Sequence, residues 1–383
     1  MRAVSLDEYY SKENVSPVSQ KIKNIRAHRF RRQRLLFALG IPQIAFKNKD
    51  ILEVGPGSGF NSIVVYESNP KTYTLIEANL FGLNEARNNL TKFKKRSIST
   101  KLKFINRSIL KINPVKKYDL VLCEGVLSGI KNLKQFLKKL DGFVKPNGLL
   151  ILSTVDEISY LADSIRRLLI QTDIKGATCN PYSLAKKYEP VLKRHFRNLK
   201  GMSRPVQDWI VDNAVNPASN LPLYNLPEII HTLNGKYDVL ETWPKYIEDW
   251  RWYKNLVGQR SNFNAVAKSQ YWAKCHNLLS NRHYLAARNA KTNQKLYNEC
   301  KKFRVCLRKY EKQPSNANLR KISMTLGRVA NKMPFLLSDE KRFLVRLKRL
   351  LYKPYFDQQM ILKNPTLMRW FCRGQQYISF VKI

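Results

Sequence analysis

Three glycines and two glutamates within the first 80 residues have the types and spacing of a ligand-binding turn. Gly55, Gly57 and Gly59 alternate with other residues directly after the apolar run DILEV, which contains Glu53. Glycines allow the chain to reverse sharply and allow a ligand to approach the bare backbone. Glu77 ends a second apolar run, 18 residues after Gly59. A carboxylate at the end of a neighbouring strand can accept hydrogen bonds from both hydroxyls of a ribose.

The glycine spacing distinguishes between two kinds of nucleotide ligand. Dinucleotide-binding folds use G-x-G-x-x-G and place a pyrophosphate at a helix N-terminus. Here the spacing is G-x-G-x-G, position 60 is Phe, and Glu53 before the loop disfavours a phosphate. The loop therefore favours S-adenosylmethionine, which has no phosphate and needs only close approach to the backbone.

Predicted strands and helices alternate around this loop, which indicates a parallel sheet with right-handed crossovers. Helices are predicted over residues 18–39, Leu80–Phe93 and Leu133–Val144. Besides the short strand before Gly55, the predicted strands are Thr72–Glu77, Lys103–Arg107, Asp119–Glu124, Leu149–Ser153, Tyr237–Trp243 and Tyr377–Lys382. The fold class is therefore α/β, with a seven-stranded, mostly parallel sheet and helical insertions.

The predicted elements also divide the chain into segments with different roles. The chain leaves the sheet twice and returns twice, and the second excursion is densely basic. The predicted segments are an N-terminal helical lead (1–48), a cofactor-binding core (49–153), an acceptor-binding insertion (154–236), the sixth strand with an aromatic segment (237–257), a basic helical insertion (258–372) and the final strand (373–383).

Four sequence motifs carry a resemblance to a known family. ILEVGPGSG, YTLIEAN, YDLVLCEGVL and VKPNGLLIL resemble motifs of the class I S-adenosylmethionine-dependent methyltransferases, over residues 49–153. The resemblance implies a Rossmann-like fold, S-adenosyl-L-methionine as cofactor and methyl transfer as the reaction. A weaker similarity, at Arg373-Gly374-Gln375-Gln376-Tyr377, is to bacterial members without an assigned substrate.

The resemblance also implies roles for individual residues. Glu53, Gly55, Gly57 and Gly59 would line the methionine moiety, and Glu77 would bind the ribose. Where the family often has an Asp that binds adenine, this chain has Arg107-Ser108-Ile109, so Ser108 takes that place. Glu124 and Gly125 would border the reacting methyl group.

The sequence indicates less clearly which residues would bind the methyl acceptor. Displacement at a sulfonium methyl depends largely on positioning, with a base if the acceptor is a hydroxyl. Asp208 is our candidate catalytic base. It lies in a stretch with Trp209, and a second polar-aromatic stretch contains Trp250 and Trp252. Such residues suit a sugar, a polyol or a stacked base, whereas the alternative is that the Trp side chains pack in the core.

Five histidines could also act as bases. His28 could cap the cofactor site from the first helix. The other four lack a supporting motif, so structural or solvated roles are favoured for them; they are His195, His231, His276 and His283.

The charge of the chain leaves its partner open. There are 69 Lys and Arg residues against 28 Asp and Glu, a net charge of +41, and residues 261–383 alone hold 26 basic and five acidic residues. Such a surface attracts polyanions, although a compositional bias would also spread charge along the chain. We expect O-methylation of a small or glycan-like acceptor. The alternative is an RNA methyltransferase that uses the basic region to bind nucleic acid.

Features that the sequence lacks disfavour two further functions and indicate where in the cell the protein is expected. A binding protein that has lost catalysis would not need both the loop and Glu77, and docking on an anionic membrane would need a broader apolar helix face. The six cysteines form no C-x-x-C pair, and no metal-binding set is apparent. Without a signal-peptide or transmembrane pattern, we expect a cytoplasmic protein with reduced thiols. The oligomeric state is left unassigned.

Overall fold

The computed structural model describes residues 20–93, 97–176, 180–216, 222–258, 262–353 and 355–383. They fall into two compact units. The first unit comprises Met1–Thr154, Leu221–Tyr271 and Gln375–Ile383, and the second comprises Val155–Asn220 and Trp272–Gly374. The start of the predicted first helix, at residues 18–19, and Cys179 lie outside the described residues.

Seven strands of the first unit form one sheet, which confirms the predicted fold class. The strands are β1 Asp50–Val54, β2 Thr72–Glu77, β3 Lys101–Asn106, β4 Tyr118–Cys123, β5 Val144–Thr154, β6 Tyr237–Trp243 and β7 Gln376–Lys382. Their order across the sheet is β3-β2-β1-β4-β5-β7-β6. The first five strands pair in parallel, and β7 runs antiparallel to both β5 and β6.

This topology brings several strand ends to one edge. The carboxyl ends of the parallel strands β1, β2, β4 and β5 share that edge, where ligands of such sheets bind. Because β7 is antiparallel, its first residues meet the end of β5 there, with Gln376 opposite Thr154. The beginning of the last strand therefore lies at the same edge as the glycine-rich turn.

Helices cover the sheet and make up most of the second unit. In chain order they are α1 Ile25–Ala38, α2 Ser62–Tyr66, α3 Leu80–Lys92, α4 Leu133–Asp141, α5 Leu161–Ile174, α6 Pro181–Phe196, α7 Val206–Trp209, α8 Leu226–Leu233, α9 Asn264–Lys274, α10 Ala290–Lys312, α11 Asn316–Lys332, α12 Ser338–Leu350, α13 Gln358–Leu362 and α14 Pro365–Arg369. A π-helical turn, Ile210–Val215, directly follows α7.

Several predicted boundaries were wrong for local reasons. The first helix begins only at Ile25, because the side chain of Asn24 accepts a hydrogen bond from the Ala27 amide and caps the helix there. The helix predicted to reach Val144 ends at Asp141. Val144 instead begins β5 and pairs with Tyr118 of β4. Propensity reasoning missed these ends because a cap and a strand partner outweigh it.

The core of the first unit explains why the central strands read as apolar runs. Helices on both faces bury β1 and β4, so nearly every side chain of these strands is inaccessible to water. The edge strand β3 is instead partly exposed, which is why its sequence alternates Lys with apolar residues. The neighbouring helix α4 buries Phe136, Leu137 and Leu140 on one side and exposes its lysines.

The second unit shows where part of the high positive charge lies. On α10, Leu296, Phe303 and Leu307 face inward, and most of the lysines face solvent. Two arginines of α5 are buried and paired. The guanidinium of Arg166 donates to the carbonyl oxygens of Leu367 and Trp370, at 2.9 and 2.7 Å, and that of Arg167 forms an ion pair with Glu311. These side chains stabilise the unit, since a buried charge must be paired.

Candidate functional site

The glycine-rich turn after β1 has the backbone shape that its sequence predicts. Gly55, Gly57 and Gly59 have φ angles of +73°, +54° and +75°, in the left-handed region that glycine tolerates best. A Cβ atom on Gly59 would lie 2.7 Å from the Cα atom of Ala86, in α3. The third glycine therefore permits close packing of the turn on a helix, while the first two shape the turn itself.

Glu77 joins the end of β2 to this turn. Its carboxylate is buried and accepts hydrogen bonds from the backbone amides of Gly57, at 3.2 Å, and Asn79, at 3.0 Å. The Asn79 side chain in turn caps α3 by accepting from the Gly82 amide. A carboxylate has about four acceptor positions, so Glu77 can keep both amide contacts and still accept from a ligand hydroxyl.

Glu53 is buried at the end of β1. Burial raises the pKa of its carboxyl group to about 7, although the hydrogen bond from Tyr73 opposes the shift. The Tyr73 hydroxyl donates to Oε2 of Glu53, which ties β1 to β2. Glu53 therefore lies beside the turn as a carboxyl group that exchanges its proton near neutral pH.

The end of β4 carries an ion pair with α1. The guanidinium of Arg32 lies 2.7 Å from Oε1 of Glu124, and both side chains are largely buried. The other oxygen, Oε2 of Glu124, is buried and has no hydrogen-bond partner among the described residues. An orphaned acceptor at a sheet edge built for ligands is consistent with a bound group next to Glu124.

Helix α1 contributes two residues to this region, of which one was foreseen. Nε2 of His28 lies 3.1 Å from the carbonyl oxygen of Phe60, next to the glycine turn. Burial lowers the pKa of His28, so its imidazole is neutral at physiological pH. Sequence reasoning did not single out Arg32. Its only signal was a basic residue one helical turn after His28, in a helix rich in arginine.

At the end of β3, the residue proposed for adenine lies at the expected edge. Ser108 is half-buried in the turn that follows the strand. Sequence reasoning missed Asn106, whose side-chain amide donates to the carbonyl oxygens of Glu77 and Ala78, at 3.0 and 3.1 Å. Asn106 therefore fixes the segment that follows Glu77.

Asp208, the candidate base, is half-buried in α7 of the second unit. Its catalytic role stays a prediction. The neighbouring Trp209 is buried and packs edge-on against Phe196, with ring centroids 5.0 Å apart. For this tryptophan, core packing was the better interpretation.

The second aromatic stretch behaves differently. Trp250 is 98% exposed and Trp252 is 61% exposed, so neither side chain belongs to the core of the first unit. Lys254 lies over the ring of Trp252, at 5.1 Å from its centroid. The two stretches looked alike in sequence, but only Trp209 is buried.

Two of the histidines have structural surroundings in the second unit. His195 contacts Arg166 and the carbonyl oxygen of Leu362, and His276 contacts Asn293 and the carbonyl oxygen of Ala286. Burial lowers the pKa of His195 to about 3 and that of His276 to about 4. Both imidazoles are therefore neutral and hydrogen-bonded.

The described part of the chain contains neither a metal-binding cluster nor a membrane-spanning helix. Among residues 20–93, 97–176, 180–216, 222–258, 262–353 and 355–383, no group of three or more His, Cys, Asp or Glu side chains could hold a metal ion. Within the same ranges, no helix has both the length and the apolar character needed to cross a bilayer.

A sheet with this strand order and a glycine-rich turn after its first strand defines a Rossmann-like nucleotide-binding fold. Residues 45–194 match a family described as a methyltransferase domain. This domain, over residues 45–194, is of the class I S-adenosylmethionine-dependent methyltransferase type that the motifs indicated.

Curated relatives are similar over this domain. Malonyl-[acyl-carrier protein] O-methyltransferase 2 of Ilyobacter polytropus is 32% identical over 123 residues, which are 31% of this chain and 45% of that protein. Ribosomal protein L11 methyltransferase of Prochlorococcus marinus is 29% identical over 134 residues, 34% of this chain and 42% of that protein. The chain thus spans less than half the length of these relatives.

The similarity of this chain to solved methyltransferase structures is low. The N-methyltransferase NodS of Bradyrhizobium japonicum, in complex with S-adenosyl-L-homocysteine, has 13% identity and a TM-score of 0.31, with 39% of this chain and 74% of that chain covered.

Proposed function

We propose that this chain is an enzyme that transfers the methyl group of S-adenosylmethionine to a hydroxyl or similar nucleophile of a small or glycan-like acceptor. The observation that carries the proposal is the position of Glu77. Its buried carboxylate lies at the end of β2 and contacts the amide of Gly57, in the left-handed turn after β1. This pairing of a bare turn with a carboxylate suits a nucleoside that has ribose hydroxyls and no phosphate.

The residues around the turn have separate tasks in this proposal. When bound, the cofactor supplies a methyl group on a positively charged sulfur. The backbone of Gly55, Gly57 and Gly59 would contact its methionine part, and Glu77 would accept from the ribose. The carboxylate of Glu124 would lie near the methyl group. Its Oε2 atom, which has no partner in the described part of the chain, can interact there with positive charge.

The names of the relatives support methyl transfer more strongly than they support any particular methyl acceptor. The Ilyobacter polytropus relative is named as an O-methyltransferase, and so is the ubiquinone biosynthesis O-methyltransferase of Rickettsia felis, which is 36% identical over 56 residues. The Prochlorococcus marinus relative is named for a ribosomal protein. We place an oxygen acceptor first for this reason. The alternative, an RNA acceptor, is favoured by the net charge of +41.

Calorimetry with S-adenosylmethionine and S-adenosylhomocysteine tests the cofactor site. We expect Gly57→Val to weaken binding at least about 100-fold, because a branched side chain both strains a left-handed backbone and fills the approach path. We expect Glu77→Ala to weaken it about tenfold or more, through loss of hydrogen bonds to the ribose.

Gly235 provides a matched control for the glycine substitution. Its φ angle is +78° and a Cβ atom there would meet nothing within 4 Å. Gly235→Val imposes similar backbone strain far along the chain from the turn, and it should bind the cofactor like the wild type. If the wild type failed to bind either ligand, or if all variants bound equally, the proposed function would be wrong.

A transfer assay with radiolabelled methyl groups separates the acceptor classes. The probes are phenolic small molecules, acidic oligosaccharides and purified RNA, each tested at low and high salt. Label in the small molecules or oligosaccharides supports our proposal. Label in RNA that falls steeply with salt supports the alternative, because binding to a polyanion releases counterions.

A further inference from the structure

Three strands of the first unit meet at a buried serine beside the predicted methyl position. Ser153, near the end of β5, is fully buried. Its hydroxyl oxygen accepts hydrogen bonds from the backbone amide of Gly125, at 2.8 Å, and from the side-chain amide of Gln375. Gly125 follows β4, and Gln375 directly precedes β7. The serine therefore fixes the relative positions of two residues that are 250 apart in sequence.

The side chain of Gln375 lies over Gly125. A Cβ atom added to Gly125 would be 3.8 Å from Nε2 of Gln375, which is ordinary van der Waals contact. Gln375 is an exposed residue at this edge of the sheet. A polar side chain over the glycine that is expected to border the methyl group is well placed to contact an acceptor.

Tyr377 fixes which way the carboxamide faces. The Tyr377 hydroxyl donates to Oε1 of Gln375 at 3.0 Å, while Nε2 donates to Ser153. Burial and the nearby Glu124 carboxylate raise the pKa of Tyr377, whereas Arg32 lowers it. The phenol is therefore neutral and remains a donor, and Oε1 keeps a second lone pair for another donor.

We propose that Gln375 binds the nucleophilic group of the acceptor through its Oε1 atom, and that Tyr377 is a positioning residue that acts through Gln375. This inference rests on the proposed function. It restricts the acceptor to a hydroxyl or amine that can donate a hydrogen bond. In the transfer, the acceptor atom bonds to the methyl carbon, the carbon–sulfur electron pair stays on sulfur, and the acceptor proton leaves to water. A carboxamide is too weakly basic to take that proton, so Gln375 orients the nucleophile only.

The test uses two cofactor analogues, so that the acceptor need not be known. Sinefungin has an ammonium group where the methyl group would be, and S-adenosylhomocysteine has nothing there. The sinefungin ammonium therefore stands in for a donor near the methyl position. Calorimetry gives the ratio of the two dissociation constants for each variant.

We expect Gln375→Ala to weaken sinefungin binding about tenfold and to leave S-adenosylhomocysteine binding unchanged, because a hydrogen bond to a charged group is lost. Gln375→Glu should tighten sinefungin binding selectively, because it adds an opposite charge. Tyr377→Phe should weaken it about threefold, since the carboxamide can then rotate. The control is Gln43→Ala, which removes another exposed glutamine, from the turn before β1, and it should change the binding of neither ligand.

The outcomes separate the two proposals. Failure of the wild type to bind S-adenosylhomocysteine would overturn the proposed function and this inference with it. Normal S-adenosylhomocysteine binding with an unchanged ratio in Gln375→Ala would overturn only the role of Gln375. Equal loss of both ligands would also overturn it, because Gln375 would then support the pocket as a whole.

Discussion

Two parts of the same sheet edge are built in different ways. The cofactor turn, residues 55–59 with Glu77, is formed mainly by backbone amides and glycine dihedral angles. The polar chain, Gly125, Ser153, Gln375 and Tyr377, is formed mainly by side chains from three strands. The difference shows that a site formed by the backbone can be encoded in one short segment. A site formed by side chains from several strands depends on the topology of the whole sheet.

The Arg32–Glu124 ion pair, whose glutamate directly precedes Gly125 of the polar chain, provides the test with the largest expected effect. We expect Arg32→Met to lower the free energy of unfolding by about 4 kcal/mol, because it leaves the Glu124 carboxylate buried without its cation. Urea denaturation measures this loss. The double variant Arg32→Met/Glu124→Met should recover most of it, because an apolar pair avoids the cost of burying charge.

Arg31 is the control for this experiment, since it is exposed on the same helix. Arg31→Met should change the stability by no more than about 0.5 kcal/mol. A small effect of Arg32→Met, similar to that of Arg31→Met, would show that the ion pair contributes little and that α1 is stabilised by other contacts.

Gly59 provides the corresponding test of the cofactor turn. Gly59→Ala should lower the free energy of unfolding by about 3 kcal/mol, since it combines a left-handed residue with a Cβ atom too close to Ala86. Gly235 has a similar φ angle but no neighbour within 4 Å of an added Cβ atom, so Gly235→Ala should lower the free energy of unfolding by only about 1 kcal/mol. Equal losses in the two variants would mean that packing against α3 does not require the third glycine.

The smallest expected effect is the pH dependence that Glu53 imposes. The folded protein keeps the proton of Glu53 up to a pKa of about 7, against an ordinary value of 4.5. The folded state therefore binds more protons between these values, and its stability falls as pH rises from about 4.5 to 7. We expect this contribution to be about 2 kcal/mol and to be absent in Glu53→Gln.

The measurement is the difference in unfolding free energy between wild type and Glu53→Gln at pH 5 and pH 7. The other carboxyl groups cancel in this difference, because both proteins contain them. Parallel pH curves for the two proteins would contradict the prediction and would indicate that Glu53 is ionised in the folded state.

Much of the fold was predictable because its signals are local. The strands at Thr72–Glu77 and Tyr237–Trp243 were predicted with their observed bounds, since each is a short apolar or β-branched run between turn residues. The ends of α1 and α4 were not, because a cap at Asn24 and the pairing of Val144 with Tyr118 override the helical pattern.

The residues around the candidate site were also predictable only where their signals are local. Short local motifs predicted the turn and Glu77. No sequence feature near Arg32 predicts its ion pair with Glu124, which is 92 residues away. Similar limits apply to the tryptophans. Trp209 and Trp250 both follow an aspartate, yet one packs against Phe196 and the other is almost fully exposed. Burial depends on the neighbours that the topology supplies.

The amino-acid sequence alone determined the alternation of strands and helices, the glycine turn and the carboxylate on the next strand. Each depends on dihedral preferences and periodicities within a few residues. Only the tertiary structure decided that β7 runs antiparallel, that Gln375 therefore lies over Gly125, and that Arg32 pairs with Glu124. Contacts of this kind join distant segments, and their energies depend on a packing that no single segment contains.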